Sequence, residues 1–176
     1  LNKFSKLTFE AFPDSFNKSS KIHTVGNPVR SGIIKNPPTE AKKKEQFNIL
    51  ILGGSQGSKQ LNEIVLKTFR DKIIPINWCI VHQVGDLDKS LLVDVYSKQS
   101  FSYKVVSYIE DIGKAYHESD LVIGRSGAMT VSEICCSSKP SILFPLPWAA
   151  DNHQYFNAKF LEDKKASILL ESSIDS

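Results

Sequence analysis

The sequence predicts an α/β protein with a Rossmann-like parallel sheet and helices on both faces of that sheet. Apolar segments of four to six residues alternate with segments of helical periodicity from residue 47 to residue 170. Glycine-containing turns follow two of the apolar segments, at residues 53–57 and 125–127. Strands that alternate with helices of about ten residues are joined by right-handed crossovers, and the sheet is therefore expected to be parallel.

Length and composition fit a soluble globular domain. The chain has 176 residues, which suits one domain or one domain with a piece of another. Its hydrophobic fraction of 41% is enough for a sizeable core, and its longest apolar runs are far too short to span a bilayer. Residues 1–9 lack the apolar segment of a signal peptide. Because the first residue is leucine, we expect a fragment of a longer protein.

Charge and side-chain chemistry exclude several classes of site. The net charge of +3 is compatible with an anionic ligand or a membrane surface and demands neither. The three cysteines include one adjacent pair and have mostly apolar neighbours, which predicts reduced thiols in the core of a cytoplasmic protein. The four histidines are scattered without the spacing of metal ligands, so no metal site is expected.

The first third of the chain has a less regular pattern. Residues 1–9 have helix-like spacing of apolar side chains before Pro13 breaks the pattern. Residues 22–25 form a short extended run, and a turn at 26–30 follows it and ends in a cation, Arg30. The polar, proline-marked segment 36–46 is typical of a linker or a surface loop.

From residue 47 the alternation is regular enough to assign elements. Strands are predicted at residues 47–52, 78–82, 103–107, 121–124, 141–144 and 166–170. Helices are predicted at residues 61–69, 91–99, 112–118, 130–137 and 154–162. Ligands of such sheets bind beyond the carboxyl ends of the strands, where both glycine turns lie.

The stretch 121–133 carries the clearest functional signal. A buried strand passes through the turn 125–127 into a helix, whose first N–H groups have no partner within the helix and attract phosphate. Glu133, about one turn in, can accept hydrogen bonds from two neighbouring hydroxyls, as the ribose-binding acid of dinucleotide folds does. A favourable position in the helix dipole is the alternative role of Glu133. The apolar positions expected to share one face of this helix are Val131, Ile134 and Cys135.

Two further segments have polar groups at the same edge. The turn 53–57 has glycines that let the backbone approach an anion, and Ser55 adds a hydroxyl donor. It matches neither common phosphate-loop fingerprint, and a plain turn between strand and helix is the alternative. At the start of the last predicted helix, Gln154 has an amide that can both donate to and accept from sugar hydroxyls. Arg30 can pair with a phosphate or with a surface acid. No set of residues suited to nucleophilic catalysis is evident.

Four motifs in this order and spacing resemble the bacterial MurG family. They are GNPVR at 26–30, GGSQG at 53–57, GRSGAMTVSE at 124–133 and DNHQYFNA at 151–158. The members are UDP-N-acetylglucosamine–N-acetylmuramyl-(pentapeptide) pyrophosphoryl-undecaprenol N-acetylglucosaminyltransferases of peptidoglycan synthesis. The resemblance runs over nearly the whole chain.

This resemblance implies the glycosyltransferase B architecture, two Rossmann-like domains that face each other across a cleft. Residues 1–25 would end the N-terminal acceptor domain, and residues 26–176 would form a C-terminal UDP-GlcNAc-binding domain that lacks its own end. The implied activity is inverting transfer of GlcNAc to the C4 hydroxyl of the lipid-linked muramoyl pentapeptide. By the same resemblance, this chain would be a fragment with no catalytic residue, metal or cofactor. We expect it to bind the donor without turning it over.

The resemblance also implies roles for particular residues. Arg30 and Ser55 would contact the diphosphate side of the donor, and the backbone of Ile109 would read the uracil edge. Glu133 would hold the ribose hydroxyls, and Gln154 would bind the GlcNAc hydroxyls. Asn157 would assist Gln154. The remaining implied contacts are backbone amides near the diphosphate, from Ala128, Met129, Thr130, Val131, Ser132 and Glu133.

Partners and location follow from the same resemblance. UDP-GlcNAc, the lipid-linked acceptor and a membrane surface are implied partners, and nucleic acid is not. The implied location is peripheral, on the cytoplasmic face of the plasma membrane. Two alternatives stay open: a related UDP-sugar transferase with another sugar or acceptor, and a non-catalytic UDP-sugar-binding subunit that needs a partner chain.

Overall fold

The computed structural model describes residues 4–13, 19–34, 45–54, 57–70, 72–146 and 152–171. The strands in these ranges are β1 Thr8–Glu10, β2 Ile22–Thr24, β3 Phe47–Leu52, β4 Trp78–Gln83, β5 Ser102–Val106, β6 Leu121–Gly124, β7 Ser141–Leu143 and β8 Ser167–Leu169. The helices are α1 Ser31–Ile34, α2 Lys59–Arg70, α3 Ser90–Ser97, α4 Ile112–Glu118, α5 Ala128–Ser137 and α6 His153–Glu162.

The main sheet has six parallel strands in the order β5-β4-β3-β6-β7-β8. From β3 the chain moves outward through β4 to β5, and then returns to place β6 on the other side of β3. The strand order therefore reverses between β3 and β6, which makes this pair the topological switch point of the sheet. In open α/β sheets the loops that leave a switch point diverge and form a ligand-binding crevice.

Each face of the sheet has its own apolar core. Along β3, Ile49 and Ile51 belong to the core under α2 and α3, whereas Leu50 and Leu52 belong to the core under α4, α5 and α6. This division follows from the two-residue period of a strand. Because both faces are covered, β3 is a nearly continuous apolar run rather than an alternating one.

The regular part of the prediction is confirmed, with element ends within two residues of those expected. The helix-like spacing of residues 1–9 does not produce a helix at its end, where β1 pairs in parallel with β2 through Thr8 and Ile22. The side chains of Leu7 and Phe9 are 55% and 62% exposed, so the spacing does not mark a buried helix face. Pairing with β2 satisfies the backbone instead.

The cysteines are free thiols as predicted, but they do not lie in the core. Cys79, Cys135 and Cys136 are free thiols, but Cys79 is only partly buried and the other two are exposed. The expected apolar face of α5 was wrong at Cys135 because the buried arc of that helix passes through Ile134 and Ser137 instead. Among the described residues, no helix has both the length and the apolar character of a membrane span.

Candidate functional site

The two glycine turns lie side by side at the switch point. The first turn (residues 53–57) follows β3, and the second turn (residues 125–127) follows β6, the neighbour of β3 in the sheet. A cavity of about 520 Å³ lies between them, and its wall includes Gly54, Arg125 and Gln154. A larger concavity of about 630 Å³ lies along the sheet beside α4, but it contains neither glycine turn. The smaller cavity is the one lined by the backbone of the glycine turns, a guanidinium group and a side-chain amide.

In the first turn, backbone shape depends on glycine. Gly57 has φ of +78°, and a Cβ there would lie 2.3 Å from the Val84 carbonyl oxygen. Gly54 has φ of +81° with open space around its Cβ position, so the backbone is accessible there. Ser55 lies outside the described residues, and its expected hydroxyl contact stays a prediction.

In the second turn, Gly127 precedes α5 in an extended conformation, and no side chain caps the helix. The N–H of Val131 donates to the Gly127 carbonyl at 3.0 Å, so helical bonding begins at Val131. The amides open to an anion are therefore those of the first helical turn, a narrower set than the expected run from 128 to 133. Gly127 and Thr130 line the cavity, and nothing lies within 4 Å of the Cβ position of Gly127.

Arg125 joins the two turns. Its Nε donates to Ser58 Oγ at 2.8 Å and one Nη donates to Gln60 Oε1 at 2.9 Å, both beyond the first turn. The other Nη donates to the carbonyls of Phe144 and Pro145 after β7. These partners are all neutral, and burial lowers the pKa of Arg125. The guanidinium stays protonated. It therefore brings a positive charge to the cavity wall, which favours an anionic ligand.

A second set of hydrogen bonds fixes the turn 125–127 to α6. Ser126 is buried, and its Oγ donates to the Gln154 carbonyl at 2.7 Å. Asn157 Nδ2 donates to the Ser126 carbonyl at 3.0 Å, so its role here is to support the turn. The side-chain Oε1 of Gln154 accepts from the Leu146 N–H at 2.9 Å, which orients the amide at the cavity.

Glu133 is a buried acid with two partners. Only 7% of its surface is exposed. Its Oε2 accepts from the Tyr116 hydroxyl at 3.2 Å, and its Oε1 lies 3.7 Å from Arg30 Nε. Burial raises the pKa of Glu133, whereas the charge of Arg30 and the Tyr116 hydrogen bond lower it. Arg30, which is expected to pair with a phosphate or with a surface acid, lies instead beside this buried acid, and its own side chain is 56% exposed.

Ile109 is tied to the first turn by a glutamine. The Ile109 N–H donates to Gln83 Oε1 at 3.1 Å, and Gln83 Nε2 donates to the Gly54 carbonyl at 3.3 Å. The backbone donor that is expected to read a base is therefore hydrogen-bonded to Gln83. Gln83 stands at the carboxyl end of β4, where a polar residue in a buried strand is a usable sequence signal.

Of the expected site residues, the structure brings Thr130 and Gln154 to the cavity between the two turns, and Ile109 lines the larger concavity beside α4. Met129 is 43% exposed in the first turn of α5. The Val131 side chain is fully buried, and Ser132 Oγ bonds within α5 and to Asn27. The residues that sequence reasoning missed are Gln83, Arg125 as a link and Tyr116. No group of three His, Cys, Asp or Glu suited to a metal occurs in the described ranges.

A parallel α/β sheet with two glycine turns at its switch point has the arrangement of a nucleotide-binding domain. Comparison with family models identifies the C-terminal domain of glycosyltransferase family 28 over residues 48–174, and the chain belongs to this family. The match covers all the elements from β3 to β8 except the first residue of β3.

Curated relatives sharpen the resemblance. A protein from Coxiella burnetii (strain RSA 493 / Nine Mile phase I) is 38% identical over 173 residues, which cover 97% of this chain and 48% of that protein. One from Acinetobacter baumannii (strain AYE) is 39% identical over 181 residues, covering 98% and 49%. Both are named UDP-N-acetylglucosamine--N-acetylmuramyl-(pentapeptide) pyrophosphoryl-undecaprenol N-acetylglucosamine transferase. The chain spans about half the length of these relatives.

Comparison with solved structures leads to the same family. The crystal structure of Acinetobacter baumannii MurG has a TM-score of 0.82 at 34% identity, covering 99% of this chain and 49% of that one. The glycotransferase of kitacinnamycin has a TM-score of 0.66 at 17% identity, with 94% and 41% covered, and supports the fold alone. The predicted fold class, one half of a glycosyltransferase B fold, and the resemblance to the MurG family are confirmed.

Proposed function

We propose that the chain is the donor-binding part of an inverting N-acetylglucosaminyltransferase of peptidoglycan synthesis. The whole enzyme would move GlcNAc from UDP-GlcNAc to the lipid-linked muramoyl pentapeptide. The single observation that carries this proposal is the pair of glycine turns at the switch point, which Arg125 joins through Ser58 and Gln60. The names of the relatives at 38% and 39% identity supply the sugar and the acceptor.

The diphosphate of the donor would lie between the two turns. There it would meet the backbone at Gly54, the first-turn amides of α5 at Ala128, Met129 and Thr130, and the charge of Arg125. When the sugar leaves, negative charge builds up on the departing UDP. Fixed amides and a fixed cation stabilise that charge without having to reorganise. This arrangement supports a role in leaving-group stabilisation and needs no metal or cofactor.

The rest of the donor would use the neighbouring groups. Glu133 would accept hydrogen bonds from the ribose hydroxyls, next to Arg30 and Ser55 on the diphosphate side. The uracil would replace Gln83 Oε1 as the partner of the Ile109 N–H, and Gln154 would bind the GlcNAc hydroxyls. Gln83 ends β4, and Ile109, Glu133 and Gln154 follow β5, β6 and β7, so these four residues belong to segments at the carboxyl edge of the main sheet.

The domain boundaries extend the same proposal. Residues 1–25, which include the β1–β2 pair, would end an N-terminal acceptor domain, and residues 26–176 would form the donor domain. The general base and the acceptor site would lie in the other half of the protein, so the chain alone would bind donor without transferring GlcNAc. Because the acceptor carries an undecaprenol lipid, the whole enzyme would work as a peripheral protein on the cytoplasmic face of the plasma membrane.

Calorimetric titration with UDP-GlcNAc tests the proposal. The chain should bind UDP-GlcNAc, and Glu133→Gln should weaken binding about ten- to a hundredfold, because charge-assisted bonds to two hydroxyls contribute about 1.5–3 kcal/mol. Glu63→Gln is the matched control, an acid on α2 whose side chain is 60% exposed and pairs only with Lys59 in the described contacts. Absence of binding by the folded wild-type chain, or equal affinity of the Glu133 variant, would contradict the proposal.

A second titration tests which sugar the donor carries. UDP-GalNAc differs from UDP-GlcNAc only in the configuration at C4, and an amide at Gln154 positioned for the equatorial hydroxyl should distinguish them. We expect UDP-GlcNAc to bind more tightly than UDP-GalNAc, and Gln154→Ala to reduce that preference. Equal affinities would favour a transferase with another sugar.

A further inference from the structure

The two oxygens of the Glu133 carboxylate have different surroundings. Oε2 faces inward and accepts a hydrogen bond from the Tyr116 hydroxyl at 3.2 Å. Oε1 lies on the side of Arg30, whose side chain is 56% exposed, with 3.7 Å between Oε1 and Nε. One oxygen is therefore fixed by the protein interior, and the other is turned toward the open side of the site.

Tyr116 is in a position to fix that orientation. It lies on α4, its exposed fraction is 0%, and its ring is part of the core that also contains Val131 and Ile134 of α5. A ring packed on all sides keeps its hydroxyl in one place, because core side chains occupy single rotamers at high packing density. The hydroxyl therefore acts as a fixed donor against which the Glu133 side chain is aligned.

We propose that Tyr116 is the positioning residue of the nucleotide site, holding Oε2 of Glu133 so that the carboxylate presents itself to the ribose hydroxyls. This inference rests on the proposed function, in which Glu133 binds the ribose. Tyr116 itself is too deeply buried to contact a ligand and acts through the acid alone.

The same bond controls the charge of the acid. Burial raises the pKa of Glu133, and the charge of Arg30 and the hydrogen bond from Tyr116 oppose that effect. These two groups, one before α1 and one on α4, are the charged and titratable neighbours that act on the carboxylate. Removing the Tyr116 hydroxyl leaves Oε2 buried without its donor, so protonation of Glu133 becomes easier.

The chain offers a matched control. Tyr96 is also fully buried, and its hydroxyl bonds to His82 Nδ1 at 3.0 Å on the opposite face of the sheet. Because His82 Nε2 faces the oxygen of Asn62, Nε2 carries the proton and Nδ1 accepts from Tyr96. Tyr96→Phe thus deletes an equally buried hydroxyl donor that has no part in the nucleotide site.

The experiment compares UDP and 2′-deoxy-UDP binding by the wild-type chain, Tyr116→Phe and Tyr96→Phe between pH 5 and 8. Tyr116→Phe should weaken UDP binding about tenfold at pH 7, reduce the preference for UDP over 2′-deoxy-UDP, and move the loss of binding at acid pH to higher pH. In a Glu133→Gln background the same change should have little further effect. Tyr96→Phe should lower the melting temperature and leave all three binding properties unchanged.

In this comparison of variants, two results would overturn the inference while leaving the proposed function intact. One is a folded Tyr116→Phe chain with wild-type affinity, ribose preference and pH profile; the other is an equal loss in Tyr96→Phe. Failure of the wild-type chain to bind UDP would refute the proposed function instead. If Tyr116→Phe does not fold, 3-fluorotyrosine incorporation keeps the shape and makes the hydroxyl a stronger donor. The Glu133 carboxyl pKa, followed by carbon NMR, should then fall, and an unchanged value would overturn the inference.

Discussion

The two glycine turns occupy the same edge of the sheet and are held in different ways. In the first turn, a Cβ on Gly57 would collide with the Val84 carbonyl oxygen at 2.3 Å and with the Leu87 side chain at 2.7 Å. In the second turn, a Cβ on Gly127 would have nothing within 4 Å, and the backbone there is in an ordinary extended conformation. Glycine is thus a steric requirement of the protein in one turn and leaves open space in the other.

The second turn is fixed by side chains instead. Ser126 donates to the Gln154 carbonyl, Asn157 donates to the Ser126 carbonyl, and Arg125 reaches across to Ser58. The space above Gly127 is therefore not needed by the protein's own packing. Because nothing lies within 4 Å of the Cβ position of Gly127 and no side chain caps α5, the first-turn amides of that helix are open to an anion.

The comparison predicts its largest effect at Gly57. Gly57→Ala should destabilise the fold by about 3 kcal/mol or more, because strain at positive φ adds to overpacking against a backbone oxygen. Urea denaturation measures this directly, and the loss is a large part of the stability of an ordinary domain. If the urea midpoint of Gly57→Ala equalled that of the wild-type chain, the first turn would tolerate a side chain, and the two turns would not differ in their need for glycine.

The stability of the fold around α2, the helix that follows the first turn, should also depend on pH. His82 is fully buried between Asn62 of α2 and Tyr96 of α3, and burial lowers its pKa from 6.5 to about 4. The unfolded chain therefore binds the proton first. The stabilising contribution is complete above pH 6.5 and is lost as the pH falls toward 4, by about 3 kcal/mol at most.

Urea denaturation between pH 7 and pH 4 checks this expectation. The free energy of unfolding should fall across that range, and His82→Gln, compared at each pH, should show a shallower fall even though it starts from lower stability. A parallel pH dependence in the two chains would mean that His82 does not contribute.

The smallest effect on stability is expected at Gly127. Gly127→Ala should change the free energy of unfolding by no more than about 1 kcal/mol, since alanine is a poorer residue than glycine before a helix but meets no clash. The methyl group would stand where the diphosphate is proposed to approach, so UDP affinity should fall about tenfold or more. Unchanged affinity in this folded variant would place the diphosphate away from the second turn.

The success of the sequence prediction varies with the range of the interactions involved. The bounds of β3, α4 and β6 are those expected, because buried parallel strands and short amphipathic helices carry local patterns. The strand β1 was missed because three residues take their conformation from pairing with β2, at a distance that no local pattern encodes. Cys135 was misplaced because the direction of the buried arc of α5 depends on its packing against the sheet.

The candidate site follows the same rule. Both turns were predicted, since glycine after a buried strand is a local signal. The contacts that equip the site join residues far apart in sequence: 65 positions between Gln60 and Arg125, 26 between Gln83 and Ile109, and 17 between Tyr116 and Glu133. Only the fold brings these partners together, so their roles could not be predicted from spacing.

The most direct test of the central claim is an NMR titration of the amide signals of the chain with UDP. Binding between the two turns should shift the amides of Gly54, Gly57, Gly127 and Ala128 most strongly, with smaller shifts at Ile109. Shifts concentrated instead along the groove beside α4, at Cys79, Val81 and Lys104, would contradict a diphosphate site at the switch point.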